Sequence, residues 1–148
     1  MVNRTAQGNT FLESYSRFKV SSSLVGAALS IVGSATGNGA ATAVAFVCPG
    51  GMFANLNPDG CLQPSQTLIA STFSDLSTSA TFAKTSFFDV FLDLTVDGGG
   101  SGTATLNSVT FGVTTVPEPA TNLLLLSGMV AIAFIRRAKS IHTLWTKV

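Results

Sequence analysis

Cys48 and Cys61 are the two thiols of the chain, and they enclose Pro-Gly-Gly-Met-Phe-Ala-Asn-Leu-Asn-Pro-Asp-Gly. That segment is rich in turn formers, Asn57-Pro58-Asp59-Gly60 above all. A disulfide closing such a loop would stabilise the fold by roughly 3 kcal/mol and would require an oxidising compartment. Two buried free thiols are the alternative. The spacing matches no zinc-ligand pattern, and the one histidine, His142, lies far away in the chain.

Asp89, Asp93 and Asp97 recur every fourth residue. On a strand that spacing separates neighbours by about 13 Å, too far to share one ion. The expectation is a solvated acidic face, with Asp97 and nearby loop carbonyls as a candidate calcium site. Gly98-Gly99-Gly100-Ser101-Gly102 lacks the Lys-Ser or Lys-Thr pair of a phosphate loop and reads as a turn. A nucleophilic triad would need a histidine beside the body of the chain, whereas His142 follows a C-terminal basic cluster. Nothing places two carboxylates together for glycoside cleavage. Neither an enzyme nor a cofactor is expected. Phe91 and Phe53, if exposed, could stack on sugars.

Charge narrows the partners. The net charge is +1, but Arg136, Arg137, Lys139 and Lys147 all fall at the C-terminal end with no acid among them. Upstream, Arg4, Arg17, Lys19 and Lys84 face Glu13, Asp59, Asp75, Asp89, Asp93, Asp97 and Glu118, leaving no basic patch for phosphates. Nucleic acid is therefore excluded as an expected partner. Charged residues are only 10% of the chain, against roughly 25% in an average soluble domain.

The elements that must carry these residues read as short strands. In Phe87 to Val96, Phe88, Val90, Leu92, Leu94 and Val96 alternate with Asp89, Phe91, Asp93 and Thr95, which predicts one core face and one largely wet face. The glycine-rich connector and the alternation of Val109, Phe111 and Val113 then suggest a hairpin. Further strands are expected at Arg17 to Val32, Ala41 to Val47, Thr67 to Phe73 and Ser79 to Lys84. Six or seven strands at this spacing predict an all-β fold, an antiparallel, jelly-roll-like β-sandwich over residues 15–113.

Residues 1–14 are polar and are expected to be disordered or the remnant of a truncated start, with Tyr15 to Val32 a strand pair. The alternative makes Arg17 and Lys19 the basic start of a signal peptide, Val20 to Val32 its apolar region and Ala41-Thr42-Ala43 the cleavage site.

At residue 114 the character changes. Two prolines at alternate positions in Thr114-Thr115-Val116-Pro117-Glu118-Pro119 cannot continue a central strand, so 114–122 reads as a linker. Leu123 to Ile135 is the most apolar stretch, and 136–148 is a basic tail. Thirteen residues rise about 20 Å as a helix, short of a roughly 30 Å hydrocarbon core. Ala120 and Thr121 on one side and snorkelling Arg136, Arg137 and Lys139 on the other supply the missing length. The expectation is one C-terminal transmembrane helix, with Arg136 and Arg137 as a cytoplasmic stop and the body outside the cytoplasm.

Val116-Pro117-Glu118-Pro119-Ala120-Thr121, then Leu123 to Leu126, Gly128-Met129, an apolar stretch and Arg136-Arg137, resembles the C-terminal sorting signal of the PEP-CTERM proteins of Gram-negative bacteria. The resemblance covers Val116 to Arg137. It implies export through a signal peptide, transient anchoring in the inner membrane, and recognition by an exosortase, a membrane-embedded cysteine-dependent transpeptidase-like enzyme that cuts near the Pro-Glu-Pro motif. It further implies release to the cell surface or beyond, and an association with exopolysaccharide and biofilm. Two departures stand out: the chain runs on past its basic cluster to Val148, and no signal peptide is evident at Met1.

The expected role is therefore that of an exosortase substrate with a structural or adhesive function outside the cell. One alternative is a sandwich module that binds polysaccharide or calcium. Another is a single-pass tail-anchored protein.

Overall fold

The structure, a computed structural model, describes residues 2–54, 60–61 and 64–116. Every regular element among them is a strand: β1 (Arg4–Gln7), β2 (Phe11–Thr36), β3 (Ala40–Pro49), β4 (Gln66–Ser71), β5 (Ser77–Asp97) and β6 (Thr103–Thr115). They pair antiparallel throughout, in the order β1-β6-β2-β5-β3-β4. The expected all-β antiparallel class is thus what forms. The expected helix 123–135, the basic tail 136–148 and linker residues 117–122 lie outside the described residues.

Two strands organise the rest. β2 has 26 residues and β5 has 21, several times the usual strand length. They run as one ribbon, first with Phe11 opposite Asp97 through Ser21 opposite Phe87, then with Gly26 opposite Thr81 through Ser30 opposite Ser77. Between the two runs the register slips, with Leu24 opposite Thr85, and the ribbon bends. At Gly26 a Cβ would come within 3.0 Å of the Ala80 carbonyl oxygen, so this part of the bend favours glycine.

The degree of folding over can be read from one aromatic pair. Phe111 on β6 packs edge-on against Phe18 with ring centroids 5.5 Å apart, yet its cross-strand partner on β2 is Leu29. Phe18 and Leu29 would be roughly 36 Å apart on an extended strand. The ribbon must double back so that its halves face each other. β3 and β4 extend one half beside β5, and β6 and β1 extend the other beside β2.

The result is sandwich-like, with one core shared by both halves. Ala41, Ala43, Ala45, Val47, Leu68, Phe88, Val90 and Val96 of the first half pack with Leu24, Leu29, Ile31, Ala104 and Leu106 of the second. The alternation read in Phe88 to Val96 holds on this side, since Phe88, Val90 and Val96 are fully buried and Leu92 and Leu94 pack against them.

Several expected boundaries move. Tyr15 to Val32 is no strand pair but the middle of the single strand β2, and Ser79 to Lys84 joins Phe87 to Val96 in β5. Short strands were expected because Ser-rich and Gly-containing stretches read as breaks, whereas here they are bends inside continuous strands. β5 and β6 do not form a hairpin, because β2 lies between them. Residues 1–14 are not wholly irregular: β1 pairs with β6, Ala6 enters the core, and β2 already begins at Phe11. β6 runs to Thr115, past the expected linker start at 114, and the Val116 amide donates to the Ser23 carbonyl.

The glycine-rich connector is more than a turn. It is where three chain reversals meet, with Gly98 N–H donating to Thr10 O, Gly8 N–H to Gly102 O and Ser101 N–H to Asn38 Oδ1. A Cβ on Gly102 would collide with the Thr36 carbonyl, and one on Gly99, at φ +58°, with that of Asn38.

Candidate functional site

The outer face of β5 carries Asp89, Phe91, Asp93 and Thr95, the face expected to be wet. Cross-strand register sets Cys48, Phe46, Val44 and Thr42 of β3 on one flank and Lys19, Arg17, Tyr15 and Glu13 of β2 on the other. The segment after β3 covers one end of this face. Cys48 is bonded to Cys61 with their Cα atoms 5.6 Å apart, which settles the thiol alternatives in favour of the disulfide. Phe53 tucks in beside it, and Cys48, Phe53 and Phe91 form a second small core with Phe46 and Cys61 at its margin.

Asp89 pins that cover down. Its Oδ2 accepts from Arg17 Nε at 3.0 Å, from Arg17 Nη2 at 2.5 Å and from the Phe53 amide at 3.0 Å. Arg17 Nη2 also donates to the Phe53 carbonyl at 2.8 Å. Both backbone groups of Phe53 are thereby held by one ion pair. Asp89 is only 2% exposed, which overturns the expectation of a solvated acidic face at this position. Burial of a carboxylate is tolerable here because a guanidinium and an amide replace its water. The hydrogen bond to Asp89 raises the Arg17 pKa above the ordinary guanidinium value, against the lowering effect of desolvation.

Phe53 and Phe91, which could stack on sugars only if exposed, are both buried, because the loop folds back over its own strand. Tyr15 of β2 is an exposed ring beside them, 67% accessible and stacked on Phe91 with centroids 5.9 Å apart. The sequence held a signal for Arg17 and Tyr15: both share the odd-numbered phase of β2 that runs beside the Asp89–Phe91–Asp93 face.

Asp93 lies between Tyr15 and Val44, with Oδ1 buried and without a hydrogen-bond partner. Desolvation, reinforced by the negative charge of Glu13, raises its pKa above the usual carboxylate value, and a backbone hydrogen bond from Leu94 partly offsets the rise. Asp97 sits at the far end of β5, where its Oδ1 accepts the Gly99 amide at 2.8 Å as a turn cap. Asp89, Asp93 and Asp97 are thus in three different settings, and the described residues contain no group of three His, Cys, Asp or Glu side chains placed to hold a metal ion. A cleft of about 430 Å³ near the ribbon's bend is lined by Pro49, Gln66, Thr81, Phe82, Lys84 and Thr85, among others, with Lys84 its one ionisable group among the described residues.

Of the residues expected to form the sorting element, Val116 ends the described body, while Pro117, Glu118, Pro119, Ala120 and Thr121 and the stop residues Arg136 and Arg137 lie outside the described residues. Residues 115–139 match the family model of the PEP-CTERM protein-sorting motif. The match begins at the last residue of β6. No curated protein matches the chain. The motif implies a sorting signal addressed to an exosortase, and with it export and membrane-anchored processing. A Cys48–Cys61 disulfide is consistent with an exported protein.

Proposed function

We propose that the chain is an exported structural or adhesive protein whose sandwich-like body, a reduced jelly roll built on one bent ribbon, is delivered outside the inner membrane and freed from its tail by an exosortase. The observation that carries this reading is the sorting-motif match over residues 115–139, which starts where the folded body's last strand ends. In this reading Pro117, Glu118 and Pro119 form the recognition element, because alternate prolines keep a peptide extended and without a full set of ladder donors, a form suited to a protease groove. Leu123 to Ile135 holds the chain in the membrane, and Arg136 and Arg137 stop transfer. The chain is substrate rather than catalyst and needs no cofactor. Export with exopolysaccharide, in a biofilm matrix, is the setting that fits it.

The test is the intact mass of the full chain recovered from cells with and without exosortase activity. Loss of everything beyond the 116–121 region only when the enzyme is present is the expected result. A full tail under both conditions would overturn it and leave a simple membrane anchor.

A second reading, polysaccharide binding by the body, is favoured by Tyr15, an exposed ring backed by Phe91 and next to Asp93. Retention of the wild-type protein, but not Tyr15→Ala, on immobilised exopolysaccharide would support it.

A further inference from the structure

From Phe11 to Ser21, β2 is paired on one side only. β5 takes that side, and β6 joins the other only from Leu24 onward. Among the described residues, no strand pairs with the opposite edge of Phe11–Ser21. Which residues face that open edge follows from two hydrogen bonds. Thr10 O accepts from Gly98 N, so even-numbered residues of this stretch direct their backbone groups toward β5. Phe87, opposite Ser21, turns its carbonyl the other way, to Gly50 on the β3 side. Phe11, Glu13, Tyr15, Arg17, Lys19 and Ser21 therefore aim N–H and C=O outward along an edge roughly 35 Å long.

Such an edge is a template for another strand. The register that uses all of it in an antiparallel pairing with itself is centred on Ser16. In that register Glu13 falls directly opposite the partner's Lys19, and Lys19 opposite the partner's Glu13. Moving the centre by one residue to Arg17 sets two arginines face to face; moving it to Tyr15 shortens the overlap to Phe11–Lys19 and trades Lys19 for Arg17 opposite Glu13, a guanidinium already engaged by Asp89. Full overlap and charge complementarity thus select the same register. Both side chains are exposed and on the same face, as cross-strand pairing requires. Glu13 also sits close enough to Asp93 for the two to repel, so a cation facing Glu13 relieves a cost already present in the single chain.

We infer that Phe11–Ser21 is a self-association edge, where a second copy of the chain adds antiparallel about a two-fold axis at Ser16 to make one continuous sheet across two bodies. The pairing is isologous and closes at two copies. It does not depend on how the tail is processed.

The experiment uses the full chain in mild detergent, with sedimentation giving the dimer affinity and circular dichroism confirming the fold of each variant. Glu13→Lys and Lys19→Glu each create two like-charge pairs across the axis and weaken the dimer by about tenfold or more. Mixing the two variants restores opposite charges at both positions, so the mixture re-forms the dimer at wild-type affinity. Ser16 lies on the axis in a non-hydrogen-bonded pair, where Cα atoms approach to about 4.5 Å, within disulfide range. Ser16→Cys is therefore expected to give a covalent dimer under oxidation, and Ser22→Cys, beyond the edge, is not. A wild-type chain that stays monomeric at about 0.1 mM would overturn the inference. So would reversals that leave dimerisation unchanged, a mixture that fails to restore it, or a Ser16→Cys chain that links no better than Ser22→Cys.

Discussion

Arg17 and Asp89 are 72 residues apart in sequence, yet their side chains meet at 2.5 Å through a single carboxylate oxygen that also holds the Phe53 amide. The two partners are unequally buried, the Asp89 side chain at 3% exposure and the Arg17 side chain at 24%. Their removal should therefore cost different amounts. Arg17→Ala strands a buried carboxylate with one backbone donor and is expected to be the costlier of the two. Asp89→Ala leaves a guanidinium that water can reach and is expected to cost about 1–2 kcal/mol, largely for the orphaned Phe53 amide. Denaturant unfolding of the two variants in the same detergent checks the order, and equal costs would mean that Arg17 is not what compensates Asp89.

The disulfide joins the two ends of the covering segment, and the ion pair holds it at Phe53. Cys48→Ser with Cys61→Ser should cost about 3 kcal/mol, the loop-closure entropy for a sequence separation of 13 residues. It should also uncover Phe91 and so raise binding of an apolar dye before global unfolding. Melting curves with and without reductant, read alongside dye fluorescence, test both parts. A reductant-insensitive melting temperature would show that the ion pair alone suffices.

How far these features could be read from sequence depends on the range of the interactions that make them. The alternation of Phe88 to Val96 named the core face correctly, because strand periodicity is local. The Cys48–Cys61 loop was legible from turn chemistry and spacing, and the sorting motif from order and spacing in a contiguous stretch. The other face of β5 was misread because its cover arrives from residues 36 positions away, which turns Asp89 and Phe91 from exposed to buried. Nothing local to Ser21–Gly26 says whether it ends a strand or bends one; Phe18 meeting Phe111 decides that. Arg17 stood in the sequence only as one of the upstream charges, or as the basic start of a signal peptide, because its partner is fixed only once β2 and β5 are in register.

Two glycines with nearly the same backbone should respond differently to alanine. Gly8 has φ +57° and no heavy atom within 4 Å of where a Cβ would stand, while Gly99 has φ +58° and would drive its Cβ into the Asn38 backbone. Gly8→Ala then carries only the left-handed penalty, about 1–2 kcal/mol. Gly99→Ala adds overpacking of about 1–3 kcal/mol at the junction of three turns. Thermal unfolding that ranks Gly99→Ala as the less stable variant supports the tight junction, and equal losses would mean the junction yields.

Asp93 gives a pH test with a definite sign. Its folded pKa is raised, mainly by desolvation and then by Glu13, so the folded state binds this proton more tightly than the unfolded chain does. The site is neutral toward stability below the unfolded carboxylate range, and its contribution turns unfavourable as pH rises through the unfolded value toward the raised folded one. Asp93→Asn removes the charge without changing the shape. It should therefore melt at a higher temperature than wild type at pH 7, and the difference should shrink to nothing by about pH 3, where both forms are neutral. At protein concentrations low enough to keep the chain monomeric, Glu13→Gln should give a smaller gain of the same sign, since Glu13 is the secondary cause. Melting curves across pH 3–7 check both variants, and an Asp93→Asn gain that persists unchanged at pH 3 would assign the effect to packing rather than to charge.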